Sequence, residues 1–174
     1  MLPRIETVSG MRQLHEVEAQ FLERFFGDSL KTAAIRIGST MGRRSWSPFG
    51  ARISLSRRHF RERDAGGEVD LDDPLSASVF AHEAMHVWQR QHGRKVTREA
   101  IPLQAGYILG RFDPYQYEAS EDPEIMLALF QRCNVEQQAK IFEDYVYGTL
   151  RGANTSALEA VARSVRFRRD PHGR

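Results

Sequence analysis

Asp73-Pro74-Leu75-Ser76-Ala77-Ser78-Val79-Phe80-Ala81-His82-Glu83-Ala84-Met85-His86-Val87-Trp88 is the stretch on which the reading of this chain turns. An Asp in the N-cap position followed by Pro at the first helical position marks a helix start. Gly93 marks a stop. Val79, Phe80, Val87 and Trp88 are apolar, so the helix is at least partly buried. Residues 82 to 86 form an HExxH run inside it. On a helix, His82 and His86 stand one turn apart on one face, and two imidazole nitrogens can converge on one ion. Glu83 is placed to reach a water on the open side of that ion rather than to bind it. Two neutral nitrogen ligands suit Zn²⁺, one ion per chain, and a carboxylate beside it suits the general base of zinc-dependent hydrolysis. Short matches of this kind also arise by chance; the helix start and the apolar flanks argue against that here.

Composition bounds the rest. A chain of 174 residues reads as one domain, residues 1–174, with a frayed tail at 168–174. Hydrophobic content of 41% beside 28% charged residues excludes a disordered chain. The longest apolar run, Ile125 to Phe130, is too short to cross a bilayer. Met1 to Glu6 lacks the apolar core of a secretory signal, so synthesis in the cytoplasm is expected, and any export would use a signal-independent route. Cys133 is the only cysteine, which excludes an internal disulfide and a Cys-rich zinc site. A net charge of +2 does not suggest nucleic acid. The basic cluster from Arg43 to Arg63, and that from Arg163 to Arg174, lack interleaved aromatics and read as solvated faces.

Helices dominate the expected organisation, with a small sheet before the HExxH helix, which makes the class α+β. Leu14, Val17, Phe21, Leu22 and Phe25 recur at spacings of three and four and predict a helix from about Ser9 to Phe26. Ala33 to Ile37 and Arg52 to Ser56 read as strands, the second alternating polar and apolar with one face buried. Gly38 to Gly50 and residues 61 to 70 read as loops. Val96 to Gly110 has helical composition interrupted by Pro102. Asn134 and Gln137 form a capping-box pattern that opens a helix ending near Gly152, and Ser156 with Glu159 repeats it for a last helix to about Phe167.

Two histidines leave a catalytic zinc site one protein ligand short. His92 has the spacing of the metzincin pattern, HExxHxxGxxH, but Gln89 stands where a helix-breaking Gly is needed. On a continuing helix His92 lies roughly 240° round and about 9 Å along from His86, out of reach. The other candidate is Glu136, at the start of the helix that follows Asn134. A Glu there also complements the helix dipole with no metal involved. Glu118, Glu121 and Glu124 remain as alternatives in an acidic segment that reads mostly as solvent-facing. Glu136 is the preferred ligand.

Several pieces carry a family resemblance: Ala51-Arg52-Ile53-Ser54-Leu55, Phe80 to Gln89, Tyr115-Gln116-Tyr117, and Asn134-Val135-Glu136-Gln137-Gln138-Ala139 with Asp144-Tyr145. The chain resembles the short HExxH proteins of the Vgr-related, Rhs-linked group of bacterial type VI secretion, and is similar to peptidase-like domains of extracellular contractile injection systems. The resemblance implies a zincin-like fold of the gluzincin type and a zinc metallopeptidase in which His82, His86 and Glu136 bind the metal and Glu83 is catalytic. In that type an acidic residue four positions after the ligand Glu often orients a histidine. Lys140 occupies that position here, and Asp144 is the substitute on offer. Arg52 to Ser56 lies where zincins hold an edge strand along the cleft, to which an extended peptide could pair, and reads equally well as an ordinary sheet strand. Tyr115 or Tyr117 is a candidate to stabilise an oxyanion, against the plainer reading as buried aromatics.

The expected function is hydrolysis of a peptide or amide bond in a peptide or protein substrate, with Vgr- or Rhs-type secretion components as partners and neither nucleic acid nor a membrane span involved. Two other readings stay open. One is a catalytically silent zinc-binding adaptor or structural part of the secretion machinery; the other is an amidase effector that cuts the cell wall.

Overall fold

The computed structural model describes residues 9–42, 44–47, 49–62 and 66–168. Strand β1 (Ser9–Gln13) leads into helix α1 (Glu16–Phe26), followed by strands β2 (Arg36–Thr40) and β3 (Arg52–Ser56). Helices α2 (Pro74–Gln91), α3 (Val96–Ile108), α4 (Pro123–Arg132), α5 (Val135–Leu150) and α6 (Glu159–Arg166) complete the order. The class is α+β, mainly helical with one small sheet. That sheet runs β1-β2-β3, antiparallel between the first two strands and parallel between the last two.

Helix α2 is the centre of the molecule. Asp73 caps it by accepting from the Leu75 and Ser76 amides, with Pro74 in the first turn. From Ser76 to Gln89 every side chain except Val79 is buried. One side of α2 meets β3 and the other lies along α5. Phe80 stacks on Phe21 of α1, their centroids 6.0 Å apart. Full burial of a ring of this size is worth about 1.5–3 kcal/mol, so α2 is held by its surroundings more than by helix propensity.

The predicted first helix is shorter than its apolar spacing suggests. Residues 9–13 pair with β2 as a strand, and the helix begins only at Glu16. The reason is Glu18. Its buried carboxylate accepts the His15 amide and the Val69 amide, and receives both Nη groups of Arg12 at 2.7 Å. This one side chain joins β1, the start of α1 and the segment before α2. Val17, an expected core position, is 46% exposed.

The strand predicted at 33–37 is displaced. Thr32–Ala34 is a 3₁₀ turn and the strand runs on to Thr40, because Gly38, Ser39 and Thr40 pair with Ser54, Leu55 and Ser56. The segment expected to be loop from Gly38 therefore starts two residues into a ladder. Pro48 of that loop, together with Arg43 and Arg63 of the basic cluster, lies outside the described residues, as do the N-terminal residues 1–8 and the tail after Arg168. In β3 the alternation did not mark a solvent face: Ser54 and Ser56 are buried along with Ile53 and Leu55. After the turn that follows, Arg61 of the basic cluster donates to Asp72 at 2.7 Å.

Helix α3 passes through Pro102 and stays intact, on the surface, with only Val96 and Gly106 buried. Gly106 lets the Phe112 ring pack close: a Cβ there would lie 2.4 Å from it, so the ring would have to shift. Helix α4, over a segment read only as acidic and apolar, starts with the same signal as α2. Asp122 accepts from the Glu124 and Ile125 amides, and Pro123 follows it. The Asn134 capping box forms as predicted. Ser156 instead opens a 3₁₀ turn, and α6 begins at Glu159 with no side-chain cap. No helix among the described residues is long and apolar enough to cross a membrane.

Candidate metal centre

His82 and His86 project from one face of α2 toward the first turn of α5, where Glu136 points back at them. The Asn134 cap places Glu136: its side chain takes the Glu136 amide at 2.9 Å, and Gln137 returns a bond to the Asn134 amide. Oε2 of Glu136 lies 3.3 Å from Nε2 of His86 and 3.6 Å from Nε2 of His82. The three residues are buried and their ligand atoms fall within 4.8 Å of one another, an arrangement that could hold a metal ion. Ligand atoms about 2.0–2.1 Å from a common tetrahedral centre stand about 3.3 Å apart, close to the two distances from Glu136.

A second layer of contacts sets the donor atoms. Gln89 is fully buried and its side-chain amide donates to the Val135 carbonyl and to Oε1 of Gln138, both at 3.0 Å. A carbonyl can only accept, so the amide nitrogen of Gln89 faces α5 and its oxygen faces His86, 3.0 Å from Nδ1. Nδ1 of His86 therefore carries a proton, and Nε2 is the ring nitrogen turned to the centre. Nδ1 of His82 donates to Oε2 of Glu143 at 2.8 Å. Glu143 is held by Lys140, which also donates to Asp144, and Asp144 accepts the Tyr117 hydroxyl at 2.8 Å.

Asp144 is thus not the residue that orients a histidine; Glu143 is. Seven residues past Glu136, it returns to nearly the same helix face, whereas the eighth is rotated well away. That geometry was the available signal, and the charge at position 144 obscured it. Gln89, read only as a helix former, orients the other histidine. Gln104 was not anticipated: its amide donates to Oε1 of Glu136 at 3.2 Å and to the Tyr115 hydroxyl at 2.8 Å.

His92 stands apart from this group. It is the C-cap of α2, its ring packs on Trp88 with centroids 4.4 Å apart, and its Nδ1 donates to the Trp88 carbonyl. Glu118, Glu121 and Glu124 do not enter it either. β3 does not offer its outer edge at Ser54, where both backbone groups are bonded to Trp46 of the preceding loop. Arg90 pins that loop through the Ser47 and Gly50 carbonyls.

The electrostatics are those of a dense buried charge cluster. Burial opposes a charged imidazole at His82, but Glu136 and Glu143 outweigh it and push the group up to about 10. Burial likewise opposes ionisation of Glu136 and Glu143, and the facing imidazoles, with Lys140 for Glu143, hold both below the usual carboxylate range. Glu83 is pushed upward, chiefly by burial. Among the described residues its Oε2 is a buried oxygen with no hydrogen-bond partner. An unsatisfied carboxylate oxygen is costly to bury, and Glu83 is among the residues that line a cavity of about 230 Å³, with His82, Glu143, Arg44, Arg58 and Tyr115. Burial raises Tyr115 to about 12, so it is a neutral hydroxyl at the cavity wall.

No established protein family matches the chain, and no solved structure matches it. Over 140 residues, 77% of its length, the chain is 29% identical to the type VI secretion system spike protein VgrG2b of Pseudomonas aeruginosa. The match spans 13% of that much longer protein.

Proposed function

We propose that the chain, as one zincin-like domain of the gluzincin type, is a zinc-dependent metallopeptidase linked to a type VI secretion apparatus. The observation that carries the reading is the His82, His86 and Glu136 ligand set together with the unsatisfied carboxylate oxygen of Glu83, with His82 and Glu83 lining one cavity. A purely structural site needs the ligands but has no use for Glu83. The secretion link rests on the likeness to the spike protein, and the partners would be components of that machinery.

His82, His86 and Glu136 would hold the ion, with Gln89 and Glu143 fixing the two imidazoles. Zinc in that place supplies Lewis acidity, polarising a substrate carbonyl and making water acidic enough to ionise near neutral pH. Glu83 takes the proton of the attacking water as its oxygen bonds to the carbonyl carbon. The same carboxyl delivers that proton to the amine nitrogen as the C–N bond breaks, and the carboxylate is restored. Tyr115, neutral and beside Glu136, is available to donate a hydrogen bond to the developing oxyanion.

The test is zinc content together with turnover. Purified protein should hold one zinc per chain by elemental analysis and cleave members of a peptide panel; cleavage should stop on chelation and return with zinc. Stoichiometric zinc with no hydrolysis across peptide and cell-wall panels would remove the enzymatic reading and leave a metal-binding adaptor.

A further inference from the structure

One wall of the cavity carries a hydrogen-bond chain that the hydrolytic reading does not use. Nε of Arg58 donates to Nε2 of His59 at 3.1 Å. A guanidinium can only donate, so Nε2 of His59 is the lone-pair atom and its proton sits on Nδ1. Nδ1 faces Oγ of Ser76 at 3.0 Å, and Ser76 passes its own proton to Oδ2 of Asp73 at 2.7 Å. His59 and Ser76 are each 2% exposed, whereas Arg58 is exposed and lines the cavity. A buried relay, anchored on the cap of α2, thus ends in a solvent-facing guanidinium beside His82 and Glu83.

The relay uses only Nε, which leaves the terminal nitrogens of Arg58 to the cavity. Arg44 lines the same cavity and lies over the Tyr107 ring, 5.3 Å from its centroid. Among the described residues neither arginine has a carboxylate within ion-pair distance. Two guanidinium groups lining one cavity, neither with a carboxylate partner among the described residues and one of them oriented by His59, suit a planar anion that accepts from both.

We propose that Arg58, positioned by His59, Ser76 and Asp73, and assisted by Arg44, selects substrates carrying a carboxylate beside the scissile bond, so that the substrate class is an acidic peptide. The inference rests on the metallopeptidase reading for the word substrate, but not for the binding of the acidic group. It explains why an otherwise mobile surface side chain is tethered to the capping residue of the helix that bears the candidate ligands. An arginine whose fork is already oriented loses less freedom when it binds a carboxylate.

The experiment uses zinc-loaded full-length protein carrying Glu83→Gln, which should retain peptides without turning them over. Binding is measured by calorimetry with acetylated, amidated hexapeptides that differ only in Glu or Gln at one position, moved along the sequence. At one or two positions the Glu peptide should bind about tenfold tighter than its Gln twin. Arg58→Gln should bring the ratio close to one, and Arg58→Lys, which keeps the charge but not the Nε tether, should recover only part of it. Arg58 is exposed, so thermal unfolding should be little changed and the comparison stays interpretable. Equal binding of the twins at every position, failure of any peptide to bind, or a ratio untouched by Arg58→Gln would overturn the proposal. Cleavage of both twins alike by the parent keeps the peptidase reading and removes the acidic preference. Selective binding without cleavage by the parent keeps the acidic site and removes the peptidase.

Discussion

Oε1 of Gln89 lies 3.0 Å from Nδ1 of His86, and the opposite end of the same amide is bonded to Val135 and Gln138 at the start of α5. One buried side chain thus sets the direction of a candidate ligand and also fastens the two helices that form the site. Arg94 extends the link by donating to Oε1 of Gln138 at 2.7 Å. Substitution of Gln89 by Met, similar in length but unable to accept from Nδ1, should weaken zinc binding by about 10–100-fold. Competition against a chromophoric chelator measures this. An unchanged affinity would mean that His86 is oriented by packing alone.

Glu143 stands in the same relation to His82. Glu143→Ala should cost zinc affinity on a similar scale, and Glu143→Gln less, because an amide oxygen can still accept from Nδ1. Asp144→Ala removes a partner of Lys140 and Tyr117 and should have the smaller effect on the metal. The reverse order would reassign the orienting role to Asp144.

The ligand set makes a sharper demand. Alanine at His82, His86 or Glu136 should abolish stoichiometric zinc, while His92→Ala should retain it, since His92 is engaged with Trp88. Elemental analysis of the four variants decides between the two candidates for the third ligand.

Glu83→Gln keeps the shape of a buried side chain and removes its basicity. Hydrolysis should fall by at least about two orders of magnitude, the scale of a positioned general base, with zinc content and unfolding temperature near those of the parent. Activity that survives the change would exclude water activation by Glu83.

A pH effect on stability is expected far from the centre. Burial would raise the Glu18 carboxyl, but Arg12 and the Val69 and His15 amides outweigh it and hold it below 4.5. A group depressed in the folded state stabilises above its unfolded pKa, and that stabilisation is lost as the pH falls through the lower, folded value. Glu18→Gln should therefore destabilise the protein at neutral pH, by about 3 kcal/mol if Arg12 is left unpaired. Its stability should also change less between neutral and acid pH than the parent's. Denaturant melts at several pH values test this; parallel curves for the two proteins would rule it out.

Much of the framework was legible without coordinates because its signals are local. Asp73-Pro74 and Asn134 with Gln137 cap their helices through bonds spanning two or three residues, and the one-turn spacing of His82 and His86 follows from helical geometry alone. Helix α4 carries a local signal of the same kind, since Asp122-Pro123 repeats the Asp73-Pro74 pattern.

What only the tertiary structure decided depends on groups that meet from distant parts of the chain. Residues 9–13 were expected to open the first helix, yet become a strand because β2 offers backbone partners and Glu18 needs Arg12. The sequence by itself determined two histidines and a carboxylate on one helix, the residue types that zinc chemistry requires. It could not decide that Glu136 faces them, that Glu143 and Gln89 orient them, or that Gln104 steadies Glu136, because each contact joins helices far apart in sequence. Local bonds form within a turn or two of chain and leave their trace in residue spacing; a bond from α5 to α2 exists only once packing has brought the two helices together.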